Sequence, residues 1–237
     1  MTLPYKKAEA ALKNMFVADT LAMPVHWFYN PADIEKAFPG GITRFEAAPA
    51  THPSSIMSLH STHAGGRGDQ GKNGRKREIV GDVILKGKRS FWGQANQHYH
   101  QGMQAGENTL NAHCARVLMR SLSANSGRYD KQRFLHDYID FMTAYPPRHP
   151  DTYAESYHRG FFANLESGKL PEFCAANTHD TPSIGGLVTI APLVFSERLQ
   201  GVPLSEVKEH CQQHLYLTHP DAMLAKVCAA YVQLLDD

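Results

Sequence analysis

From Glu107 onward, apolar residues recur at helical spacing, and this dictates a mainly helical fold. Over residues 109–122, Leu110, Cys114, Val117, Leu118 and Leu122 share one face. Asp130 can cap a helix that carries Phe134, Leu135, Tyr138 and Met142 and ends before Pro146-Pro147. Tyr153, Tyr157, Phe161 and Leu165 form the next stripe, closed by Gly168. A further helix follows Ser183, and another covers roughly residues 204–214. Thr218-His219-Pro220-Asp221 resembles a capping box and opens a last helix through Leu224, Val227, Cys228, Tyr231 and Leu234. The N-terminus adds a helix over roughly residues 5–22. A short one follows, with Asn30 as cap and Pro31 at its first position, and Pro39-Gly40-Gly41 stops it.

Residues 42–104 differ. They are polar, rich in Gly, Ser, His and Lys/Arg, and show little periodicity. Only residues 79–92 carry strand character, with a turn near Lys86-Gly87-Lys88, so a hairpin is expected there. The expected architecture is one mainly α domain over residues 1–237, with an irregular loop and hairpin excursion at 42–104.

Charge excludes some function classes. The 24 basic and 23 acidic residues give a formal net charge of +1, no basis for attraction to nucleic acid or an anionic membrane. No run approaches the roughly 18 uninterrupted apolar residues of a membrane span. Cys114, Cys174, Cys211 and Cys228 are far apart and lack C-x-x-C spacing, which reads as reduced, buried thiols. The first ten residues hold no apolar signal core, so a cytoplasmic protein is expected. Fourteen histidines predict pH sensitivity near neutrality.

Several motifs carry chemistry on paper. Gly66-Arg67-Gly68-Asp69-Gln70-Gly71-Lys72-Asn73 falls short of a phosphate-binding loop, because Asn73 replaces the Ser/Thr and no apolar strand precedes it. It reads, with Lys72 to Arg77, as a solvated basic loop. His98-Tyr99-His100 has a spacing that could place two imidazoles on one strand face, with His113 near in sequence, yet zinc needs more ligands. His149, Asp151 and His158 form a loose cluster in which Asp151 reads as a charge at the start of its own helix. Asp180-Thr181-Pro182-Ser183-Ile184-Gly185-Gly186 is turn-rich and opens into a helix, where backbone N–H groups could hold a phosphate. Ala18-Asp19-Thr20-Leu21-Ala22-Met23-Pro24-Val25-His26 ends the first helix with an internal acid.

Taken in order, four segments resemble the ADP-ribosylglycohydrolase family. Asp19, Leu21 and Pro24 match its opening G-D-A-L-G-x-P-x-E motif, and His26 stands at the place of its catalytic glutamate. Thr109-Leu110-Asn111 stands where the family has T-D-D. The segment from Ser183 to Leu193 resembles N-G-x-x-M-R-x-x-P-L, and Leu217-Thr218-His219 resembles L-T-H. The wording of these segments is most similar to the lens J-crystallin branch. The resemblance implies an all-α fold and cleavage of ADP-ribosyl bonds with two magnesium or manganese ions. Hard divalent cations want oxygen ligands, and carboxylates suit them. The implied metal ligands here are Thr109 and Asn111 alone, a degraded site, since Leu110 cannot ligate. The sequence through Asp237 contains no D-x-D-[ST] motif for the second half of the cage. Magnesium or manganese is expected only if a metal site survives.

The ligand side implied by the resemblance is Asp180, Thr181, Ser183, Gly185, Gly186 and His219. The leading expectation is thus a protein that binds an ADP-ribose-like small molecule without the family's standard catalysis. Two alternatives stand beside it. One is an active hydrolase of ADP-ribosyl or related N/O-glycosidic bonds that uses Asp19 and His26 as an acid/base pair. The other is a structural, crystallin-like protein with no ligand.

Overall fold

The computed structural model describes residues 3–64 and 77–237. The Gly66–Asn73 motif and the basic run short of Arg77 lie outside the described residues. Eight α-helices are present among those described: α1 Leu3–Ala22, α2 Pro31–Ala37, α3 Leu110–Ala124, α4 Lys131–Thr143, α5 Ser156–Glu166, α6 Ile190–Leu199, α7 Leu204–Tyr216 and α8 Ala222–Asp236. No strand occurs among them. The family-like all-α class holds.

Local chemistry sets the ends of these helices. Asn30 caps α2 by accepting from the Ala32 N–H at 3.1 Å, and Pro31 occupies the first helical position. Asp130 caps α4 by accepting from Gln132 and Arg133, and Asp221 caps α8 by accepting from Leu224. Each such cap contributes about 1 kcal/mol. Gly168 closes α5 with a φ of 90°, which a side chain would strain.

Helix α6 is the hub, packed against α1, α3, α7 and α8. A helix with neighbours on most sides has no polar face to keep, and Ile190, Ala191, Leu193 and Val194 are all buried. The buried Glu197 is answered by His210 Nδ1 at 2.8 Å. The stripes of α3 and α5 complete the core with Leu118, Phe161 and Phe162. Burying one such side chain contributes about 1.5–3 kcal/mol. All four cysteines are unbridged and buried, and burial pushes the Cys228 thiol up to about 11. No helix of the described residues is long and apolar enough to cross a membrane.

The expected hairpin at 79–92 does not form. Ile79–Val83 is one wide turn broken by non-helical backbone at Val80 and Gly81, and Arg89–Phe91 is a single 3₁₀ turn. The reason is burial on every side. Ile79, Val80, Val83, Ile84 and Leu85 are all within the core, whereas a half-buried strand would alternate. Gly81 at φ 102° and Leu85 at φ 51° turn the chain out of the extended region. Arg159 of α5 ties this excursion down. It is fully buried, donates to Ala154 O at 2.6 Å, and lies 5.1 Å over the Trp92 ring.

Candidate active-site cleft

A cleft of about 520 Å³ opens where four segments meet: the end of α1, the start of α3, the approach to α5, and the turn before α6. It adjoins an aromatic alcove of about 220 Å³. Trp27, Tyr153, Glu155 and Ser183 line both spaces. Trp27 packs on Tyr99 at 4.8 Å and Tyr153 at 5.3 Å between ring centroids. Its φ of 60° is costly for a bulky residue, and these ring contacts hold it there.

The turn after α1 is fixed by histidines. His98 Nε2 donates to Pro24 O at 3.0 Å, and its Nδ1 accepts from the His100 N–H at 3.0 Å. His52 Nε2 donates to His26 O at 2.7 Å, and its Nδ1 accepts from the Ser54 N–H. Both imidazoles are neutral staples. Burial, reinforced by His100, lowers His98 to about 3, against the Pro24 carbonyl. Both of its nitrogens are committed, and the 98–100 segment is a turn rather than a strand. His113 lies elsewhere, stacked near Phe141 and His149.

Asp19 does not pair with His26. Its Oδ1 accepts from Thr109 Oγ1 at 2.6 Å, and its Oδ2 accepts from the Thr109 N–H and Asn108 Nδ2, both at 2.9 Å. Asp151 also differs from its expected place. Its own helix, α5, starts only at Ser156, and Asp151 instead accepts from the Leu110 N–H at 2.7 Å and the Tyr153 N–H at 3.0 Å. Two carboxylates from distant segments therefore satisfy the first N–H groups of α3, where helix geometry leaves donors without partners and the dipole favours negative charge.

The third residue of that start, Asn111, is equally committed. Its Oδ1 accepts from Tyr157 OH at 2.9 Å and His158 Nε2 at 3.3 Å. Its Nδ2 donates to Glu155 Oε1 at 2.5 Å. Burial pushes the Glu155 carboxyl up, against that hydrogen bond.

Asp151 also holds His100, whose Nδ1 lies 2.8 Å from Asp151 Oδ1. His100 Nε2 in turn lies 2.9 Å from His26 Nδ1. Burial alone would raise the Asp151 carboxyl. The His100 imidazole and the Leu110 and Tyr153 N–H groups outweigh it and hold that carboxyl well below the usual range. His26 is lowered to about 4, by burial first and by His100 second, against Asp19 and Asp151.

The turn before α6 divides its residues. Ser183 and Gly185 face the cleft. A Cβ at Gly185 would sit 3.1 Å from Glu155 Oε1. Thr181 is buried and braces its own loop, with its hydroxyl donating to Ala176 O at 3.1 Å. Asp180 pairs with His179 at 2.9 Å on the rim of the alcove. His219 is fully buried behind Gly186, where a Cβ would stand 2.7 Å from its ring. Burial lowers it to about 4, and it reaches the cleft only through Ser183 Oγ, 3.4 Å from its Nε2.

Residues 2–236 match the sequence model of ADP-ribosylglycohydrolases. The chain belongs to the ADP-ribosylglycohydrolase family. No curated protein and no solved structure matches it. Within this ADP-ribosylglycohydrolase-like fold, no group of three or more His, Cys, Asp or Glu among the described residues is arranged to hold a metal ion. Sequence reasoning singled out Asp19, His26, Ser183 and Gly185, which line the cleft together with Thr109 and Asn111. It missed Trp27, Tyr153 and Glu155. It saw His100 only as half of an H-x-H pair and Asp151 only as a helix-start charge. No spacing rule joins residues so far apart.

Proposed function

We propose that the cleft binds an ADP-ribose-like ligand and that it lacks the family's dinuclear metal cage. The observation that carries this is the donor set at the start of α3. Thr109 Oγ1 gives its proton to Asp19, Leu110 offers only apolar carbon, and the Asn111 oxygen is taken by Tyr157 and His158. Magnesium or manganese would find no carboxylate on these residues, and hard cations bind weakly to a single neutral amide oxygen. These residues do not fit the metal.

The ligand side is better kept. Ser183, Ile184 and Gly185 front the cleft. Asp19 and Asp151 do not oppose such an anion strongly, because their charges are spent on the N-terminus of α3. The aromatic faces of Trp27 and Tyr153 offer a flat partner to a base or a sugar. The similarity in wording to the J-crystallin branch is in keeping with binding that outlives the standard chemistry.

Thermal-shift and direct binding measurements with ADP-ribose test the reading. The wild-type chain should gain stability at millimolar ADP-ribose. Gly185→Val, whose side chain would press on Glu155, should lose that gain while remaining folded. No response of the wild type would overturn the proposal and favour the ligand-free structural reading.

A further inference from the structure

We infer that Asp151, His100 and His26 form a proton relay that presents the Nε2 lone pair of His26 to water in the cleft, as general base for hydrolysis of a ribosyl N- or O-glycoside. This rests on the proposed occupancy of the cleft by a ribosyl ligand and adds an attack that uses this chain's own side chains.

The tautomers follow from the contacts. Asp151 is held ionised and can only accept, so His100 Nδ1 carries a proton. In a neutral His100, Nε2 is then a lone pair, and it accepts from His26 Nδ1–H at 2.9 Å. That leaves the His26 Nε2 lone pair. It has no hydrogen-bond partner among the described residues and is not a sealed polar atom, and His26 lines the cleft. Asp151 and His100 are almost completely buried, so the inner part of the chain is shielded from water while its outer end is open.

The relay also answers an objection. A lone imidazole in this place is a poor base, because burial disfavours its charged form. In the relay the charge need not stay on His26. As Nε2 takes a proton from water, the proton on Nδ1 can pass to His100 Nε2, and the positive charge settles beside the Asp151 carboxylate. The groups that face this pair are Asp19 from α1, Asp151 before α5, and the neutral His52 and His98 of the irregular segment. Both acids favour the protonated relay.

In the step itself, the water oxygen bonds to the anomeric carbon of the ribose. The bond from that carbon to nitrogen or oxygen breaks, and its electron pair leaves with the leaving atom. The water proton goes to His26 Nε2 and is then returned by the relay to the leaving atom or to solvent. His26 is the catalytic residue; His100 and Asp151 are positioning residues.

The test uses the full chain in excess EDTA, with ADP-ribosyl p-nitrophenol as probe and release of nitrophenolate as readout. ADP-ribose binding is measured separately by calorimetry. The wild type should turn over the probe. His26→Ala should lower kcat by about 100-fold or more, with ADP-ribose still bound and partial rescue by added imidazole. His100→Gln should lower kcat without raising KM. Its acid limb should also shift, because the His100 ring that lowers His26 is gone; a merely structural role for His100 would leave that limb in place. Binding of ADP-ribose without turnover, or a His100→Gln chain with the wild-type rate and pH profile, overturns the relay and leaves the binding reading standing. Absence of both binding and turnover overturns both.

Discussion

The two walls of the cleft share Asp151 and end in opposite states. On the α3 wall, Asp19, Asp151 and Asn111 meet donors at 2.6–3.3 Å. On the histidine wall, the chain from Asp151 through His100 to His26 stops at a ring nitrogen with no partner among the described residues. A helix N-terminus consumes carboxylates, because its first N–H groups need acceptors. The chemistry left over is nitrogen chemistry, on the wall where no helix starts.

Asp151 belongs to both walls, so its loss should have the largest effect. Asp151→Ala would leave the Leu110 N–H and His100 Nδ1 buried without an acceptor. It should cost about 3–5 kcal/mol in urea unfolding. A cost below about 1 kcal/mol would mean that the two walls are not joined through this residue.

Acid should have the next largest effect, through the buried histidines. In the folded chain, burial holds His26 and His219 near about 4 and His98 and His214 near about 3. The unfolded chain takes up these protons below about 6.5. The folded state therefore binds fewer protons, and its stability is full above that value and declines as pH falls from about 6.5 toward 4. The Tm should drop over this window and the His98→Gln variant, which keeps a donor, should drop less. An unchanged Tm between pH 7 and 5 would remove the neutral-staple account.

A smaller effect is expected at the α3 wall. Asn111→Asp would set a second carboxylate 2.5 Å from Glu155 Oε1 in place of a donor. It should lose about 1–3 kcal/mol, and manganese should recover more of that loss than it adds to the wild type. Equal manganese responses would show that this wall cannot be turned back toward metal binding. The smallest change should be Asp19→Asn, which keeps an acceptor for one of the Thr109 donors. It should cost about 1 kcal/mol, the usual value of a helix cap.

The helices were legible because their apolar stripes are periodic and their caps are local. Asn30, Asp130 and Asp221 each bond within three residues of themselves. The segment at 79–92 misled because a run of buried β-branched residues looks like a strand until Gly81 and Leu85 turn left-handed. In the cleft, Asp19 was legible as a special acid, yet its work lies with Thr109, ninety positions away. Asp151 serves a helix start 41 positions before it, which no local pattern encodes. The His98-Tyr99-His100 spacing was real, but its two rings point to different tasks: one clamps Pro24 and the other bridges Asp151 to His26.

The central claim is a cleft that binds its nucleotide without a metal cage. Calorimetric titration of ADP-ribose into the full chain, in excess EDTA and again in excess manganese, tests it most directly. The account predicts saturable binding with the same affinity in both. No heat in either, or binding that appears only with manganese, would contradict it.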